Sequence, residues 1–210
     1  MKLTMRLSPL LLTYLLSACS SVSLIQENIN DQHLEADARY TALVQAIKVQ
    51  STLPAITELR QVTVLTDGFR EDSVNEQAVN QQLFEAIEVN NWAVCLHKAN
   101  EALASHYASL NSHYAAMVCR LESGESLQSQ YHETVLNLLL ESVWSTGDGE
   151  SINSAFQVMN TVERNAFIEF HGLEFIKHSL TRRDGQDYDV VTIYDAKKDD
   201  TFEWYFTELK

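Results

Sequence analysis

The run from Trp144 to Val158, through Gly147, Asp148 and Gly149, divides the chain into two kinds of pattern. Before it, apolar residues recur at helical spacing as far as Trp144. After it, alternation and turn dipeptides dominate as far as Lys210. A chain that changes period once, with a polar two-glycine turn at the change, is constrained to an α+β architecture with helices first and strands last. We therefore expect an N-terminal α-helical array over 31–144. A small C-terminal antiparallel β-sheet with one short helix should follow over 145–210.

Within the helical half, Asn90 through Leu103 aligns with Gly124 through Asn137 at an offset of 34 residues. Upstream, Leu83, Phe84 and Ile87 fall opposite Met117, Val118 and Leu121. That period is similar to the tetratricopeptide repeat, in which two amphipathic helices meet at a polar turn. The spacing predicts helices over Val74 to Val89, Trp92 to Ser105, Leu110 to Glu122 and Ser126 to Trp144. A non-repetitive bundle is the alternative, because Ser126 stands where an aromatic is wanted. An earlier helix is predicted from Asp31 to about Gln50, and another behind Pro54, whose missing N–H suits a first turn.

Past the glycines, Ser154 to Met159 alternates like a strand, and Asn160 with Glu163 has the spacing of a helix start. Three strands are then expected at Glu174 to Thr181, Tyr188 to Tyr194 and Phe202 to Thr207. Asp184-Gly185 is the hairpin signal between the first two.

The N-terminus carries Lys2 and Arg6, an apolar run from Leu7 to Leu16, and then Leu16-Ser17-Ala18-Cys19. This ending resembles the lipobox of bacterial lipoproteins, with 1–18 as the signal peptide. The resemblance implies lipidation at Cys19 and, with serine at position 20, an outer-membrane anchor facing the periplasm. Residues 19–30 then read as a flexible tether. Loss of Lys2 and Arg6, with no acid removed, would leave 13 basic against 29 acidic side chains, a change in net charge from −14 to −16. So acidic a surface repels phosphate backbones and excludes nucleic-acid binding. Attachment to the membrane is left to the lipid, and no cofactor is called for.

Three stretches together resemble the bacterial domain-of-unknown-function family numbered 4919. They are Trp144 to Ser151 with Ala155 to Val158, the Glu163 to Gly172-Leu173 segment, and Asp184 through Val191. The resemblance implies tetratricopeptide-type helices before a small β-rich end, and supplies no catalytic residue.

Site readings follow from residue type. Cys95 and Cys119 lie at comparable distances from a turn near Ser109. They are either a disulfide, as an oxidising compartment would favour, or two buried thiols. Trp92, His97, Tyr107, Tyr114 and Tyr131 are the candidates for a protein- or peptide-binding surface on the helices. Asp148 and Tyr188 are the candidates for a rival small-molecule or hydrolytic site at the glycine loop. For Asp148 the competing reading is a turn residue bonded to nearby N–H groups. Asp184, Asp187 and Asp189 raise calcium without the spacing of a calcium loop. His97, His106, His113 and His132 raise a metal without ligand spacing, and no nucleophile motif is present.

Overall fold

A computed structural model describes the backbone of residues 16–210 and the side chains of residues 32–69 and 75–210. The stretch 1–18 read as a signal peptide lies outside the described residues for all but its end, as does the side chain of Cys19.

The helices are α1 (Leu16–Val49), α2 (Leu53–Thr63), α3 (Phe69–Glu88), α4 (Trp92–Ser105), α5 (Leu110–Glu122) and α6 (Ser126–Trp144). A 3₁₀ turn (Ile152–Ser154) leads into β1 (Phe156–Val158). Helix α7 (Thr161–Phe170) and strands β2 (Glu174–Arg183), β3 (Gln186–Asp195) and β4 (Asp200–Glu208) complete the chain. The fold is α+β, as the single change of period requires.

Boundaries of α4, α5 and α6 coincide with the helices read from spacing, because side chains cap two of them. Asn91 Oδ1 accepts from the Val94 N–H, and Ser109 Oγ accepts from the Ser112 N–H. Two other starts differ. Helix α1 begins at Leu16 rather than Asp31, so the stretch read as a tether from 19 to 30 is helical backbone here. Helix α3 begins at Phe69, directly behind Gly68, rather than at Val74.

Successive helices pack on one another: α3 on α4, α4 on α5, α5 on α6, with α3 also on α5. Helix α2 lies against α6 and carries α1 with it. Cys95 and Cys119 are joined in a disulfide between α4 and α5, with Cα atoms 6.2 Å apart. Closing a loop with a sequence separation of 24 constrains the unfolded chain by about 3 kcal/mol.

The sheet is mixed, not antiparallel, with order β1-β4-β3-β2. β2 pairs with β3 and β3 with β4 in antiparallel register, but β1 runs parallel to β4, Phe156 opposite Phe206. Two hairpins leave β4 parallel to β2, and α7 is the crossover that a parallel pairing needs. Alternation in a three-residue strand carries no direction, which is why the sequence reading missed it. The β2–β3 turn is built as its dipeptide demands, with φ of 52° at Asp184 and 82° at Gly185.

One face of the sheet meets the helices through an aromatic cluster. Trp144, Phe156, Phe167, His171 and Trp204 stack mainly edge to face, with centroids 4.5 to 6.3 Å apart. The indole N–H of Trp144 donates to His171 Nε2 at 2.6 Å, and His171 Nδ1–H donates to the Phe167 carbonyl at 2.6 Å.

Candidate functional site

Two polar assemblies sit in this frame, one sealed and one open. The sealed one joins the helical half to the sheet. Arg60, on α2, is 1% exposed and reaches across 103 positions of sequence to Glu163. Its Nε donates to Oε1 at 2.8 Å and its Nη2 to Oε2 at 2.9 Å, a two-point pairing. Nη1 donates to Ser142 Oγ on α6 at 3.1 Å, and Nη2 to the Gln157 carbonyl on β1 at 2.7 Å. Glu163 in turn accepts from the Met159 N–H at 2.6 Å, while its own N–H donates to Asn160 Oδ1 at 2.9 Å. The Asn160 and Glu163 spacing that marked a helix start therefore does two things: it caps α7 and holds the guanidinium.

Next to it lies Glu76. Burial pushes its carboxyl up, but hydrogen bonds and charge from His106, with Ser109 and Asn160, outweigh that and hold it below the usual range.

The open assembly is a cavity of about 590 Å³ between α1, the α4–α5 turn and α6. Lys48, Leu103, Tyr107, Arg120, Leu127 and Tyr131 line it, with His132 at its base. Asn100, Ala104 and Gln128 complete the wall, so no carboxylate faces the cavity in a chain with 29 acidic side chains. The hydroxyls of Tyr107 and Tyr131 are hydrogen-bonded to each other. Burial, then the Tyr131 hydroxyl, raises the Tyr107 phenol far above its ordinary range, so it stays protonated. The Lys48 ammonium sits 5.4 Å from the centroid of the Tyr107 ring.

Beneath the tyrosines, the proton positions follow from one carbonyl. His113 Nε2 lies 2.9 Å from Tyr107 O, which can only accept, so Nε2 carries the hydrogen. His113 Nδ1 is then the acceptor, and His132 Nδ1, 3.0 Å away, donates to it. His132 Nε2 is left with its lone pair, on a ring that lines the cavity. Burial, then the neighbouring His132, pushes His113 down to about 3; burial, then the Arg120 charge, pushes His132 down to about 4. Both rings are neutral at pH 7.

Arg120 bonds to Glu125 through Nη1 and to Asn100 Oδ1 through Nη2 at 3.3 Å. Its Nε is buried with no acceptor among the described residues.

The five residues read as a binding surface do not form one. Tyr107 and Tyr131 meet in the cavity. Tyr114 instead packs between Phe84 and Phe170, at 6.2 and 5.3 Å, and Trp92 is half-buried against the core. His97 is on the outer face of α4 beside Glu101, at 3.5 Å. Sequence reasoning missed Lys48, Arg120 and Arg60. Helical periodicity gives no sign of a long-range partner, although His113 and His132 had been noted as a concentration of imidazoles.

The glycine loop is a packing joint. A Cβ on Gly147 would stand 2.1 Å from the Ser154 carbonyl oxygen, and one on Gly149 2.4 Å from the Phe156 ring, with Gly149 at φ +72°. Asp148 is exposed and accepts from the Glu150 N–H at 2.9 Å; the Ser154 hydroxyl and that N–H hold its carboxyl below the usual range. Tyr188 lines a separate shallow cavity of about 260 Å³ on β3, so the two residues paired in the rival reading are not brought together.

The calcium reading fails on its ligands. Arg183 stands 3.6 Å from Asp184 and Arg182 3.6 Å from Asp187, while Arg164 and His178 take Asp189. Among the described residues no group of three acids, histidines or cysteines could hold a metal ion, and no helix is long and apolar enough to cross a membrane.

A larger cavity, about 1710 Å³, lies between α1, the α2–α3 turn and the C-terminal residues. Its lining mixes Glu35, Arg39, Asp67, Glu208 and Lys210, with no dominant charge. No family model, curated protein or solved structure matches the chain.

Proposed function

We propose that this protein is an envelope lipoprotein, held by a lipid on Cys19 at the periplasmic side of the outer membrane. Its tetratricopeptide-like helices act as a scaffold that binds a protein or peptide. The binding surface is the groove around Tyr107, Tyr131 and His132. The observation that carries this reading is the cavity itself: aromatic hydroxyls, two cations and an imidazole lone pair converge on a space large enough for a side chain or small group. The disulfide between α4 and α5 is in keeping with an oxidising compartment. The resemblance to the 4919 family fits the same architecture.

Binding suits the groups better than turnover does. A general base works best with a pKa near the operating pH, and His132, at about 4, is a weak base at neutral pH.

A photo-crosslinking residue placed at Leu127, 80% exposed on the groove rim, should capture a partner in intact cells. The same residue at Leu180, 73% exposed on the outer strand β2, should not. Absence of an adduct at 127, or equal capture at 180, overturns the reading.

A further inference from the structure

We infer that the α1–α4–α6 groove is a carboxylate-binding site, taking one anionic group at Lys48 and Arg120 while the attached apolar body lies against Leu103, Leu127 and the tyrosine rings. This rests on the groove being the binding surface and adds the chemistry of what it binds.

The argument is first one of charge. A surface of net charge −14 repels anions in general, yet this cavity wall carries two cations and no acid. Lys48 has no acidic partner within 4.0 Å among the described residues, and its contact is the π-face of Tyr107. Arg120 is only partly satisfied. Glu125 and Asn100 take one hydrogen each from its two terminal nitrogens, and each of those nitrogens carries a second, while Nε–H is sealed from solvent without an acceptor. Hydrogen bonds between a charged donor and a charged acceptor are about twice as strong as neutral ones, so a carboxylate at this wall gains more than a neutral amide would.

The second argument is polarity by position. Tyr131 and Tyr107 spend hydroxyl capacity on each other, and the His132 lone pair accepts a hydrogen bond but repels a second anion. One negative group is therefore the fit, with a neutral donor tolerated at the imidazole end. Between these points the wall is apolar, and about 590 Å³ holds a body the size of a phenylalanine side chain with room to spare.

The test uses the full chain in lipid nanodiscs, with 3-phenylpropionate and 3-phenylpropionamide as probes and calorimetry or ligand-detected NMR as readout. The acid should bind at least tenfold tighter than the amide, and more weakly as salt rises. Lys48→Gln should weaken the acid about fivefold and leave the amide unchanged. A tripeptide ending in phenylalanine, with a free or an amidated C-terminus, decides the source. Discrimination of the free from the amidated form marks a peptide end, and discrimination confined to the small acid marks a free metabolite; either supports the carboxylate site.

Equal binding of acid and amide, both abolished by Leu127→Arg, overturns the carboxylate assignment and leaves the groove standing as a binding surface. No binding of either probe, together with partner capture at residue 127 unaffected by Ala104→Arg on the same wall, overturns both.

Discussion

The Arg60–Glu163 junction and the Tyr107–His132 groove are both polar places in a mostly apolar interior, and they differ in completeness. At the junction every guanidinium nitrogen has an acceptor and both carboxylate oxygens are met, on side chains 1% and 3% exposed. In the groove a buried arginine nitrogen lacks an acceptor, and the Lys48 ammonium has no acid within 4.0 Å among the described residues. A satisfied buried network orients elements and has nothing left to offer a ligand. An incomplete one at an accessible wall has capacity to spare. The junction accordingly holds α2, α6, β1 and α7 in register, and the groove is the part for which we propose binding.

The comparison can be broken hardest at the junction. Glu163→Ala strands a buried arginine and removes the cap of the Met159 N–H, so it should cost about 3 to 5 kcal/mol in urea unfolding. A loss below about 1 kcal/mol would mean the pair is not buried as described.

The next largest effect comes from the imidazoles under the groove. His132 is held down to about 4 when folded and returns to about 6.5 when unfolded, so between those values the unfolded chain binds more protons. Stability should therefore rise with pH through that window, and His132 alone should account for about 3 kcal/mol of the loss as pH falls from 6.5 to 4. His132→Gln keeps a donor for His113 Nδ1 and should remove about half of the slope, because His113, pushed down to about 3, carries a similar share. An unchanged slope would show that the pH dependence comes from elsewhere.

Gly149→Ala sharpens the contrast from the structural side. With φ +72° and the Phe156 ring in the way, it should lower the unfolding free energy by about 2 kcal/mol. Because the loop is a joint rather than a site, adduct yield at residue 127 per folded molecule should not change. Tyr131→Phe leaves the buried Tyr107 hydroxyl without its partner and should cost about 1 kcal/mol. Titration with 3-phenylpropionate should show binding changed less than twofold, because the ring that packs against the ligand is kept.

Local chemistry made much of the fold legible. Asn91 and Ser109 announce α4 and α5, Asn160 with Glu163 announces α7, and Asp184-Gly185 forces the β2–β3 turn. What stayed hidden depends on partners far apart in sequence. Arg60 reads as the polar flank of an amphipathic helix, because its acceptors lie 82 to 103 positions away. Tyr107 and Tyr131 were singled out as aromatics, but their pairing, and the two cations beside them, depend on how α1 crosses the α4–α5 turn. The direction of β1 was hidden for the same reason, since it is set by α7 and two hairpins rather than by its own three residues.

Lys48→Gln tests the central claim most directly, through adduct yield at residue 127 in intact cells, corrected for folded protein. Lys48 is exposed and holds no element in place, so unfolding free energy should stay within about 0.5 kcal/mol of the parent. Adduct yield should nevertheless fall severalfold. Undiminished capture, or a loss that merely follows a drop in stability, would contradict the division between a junction that holds and a groove that binds.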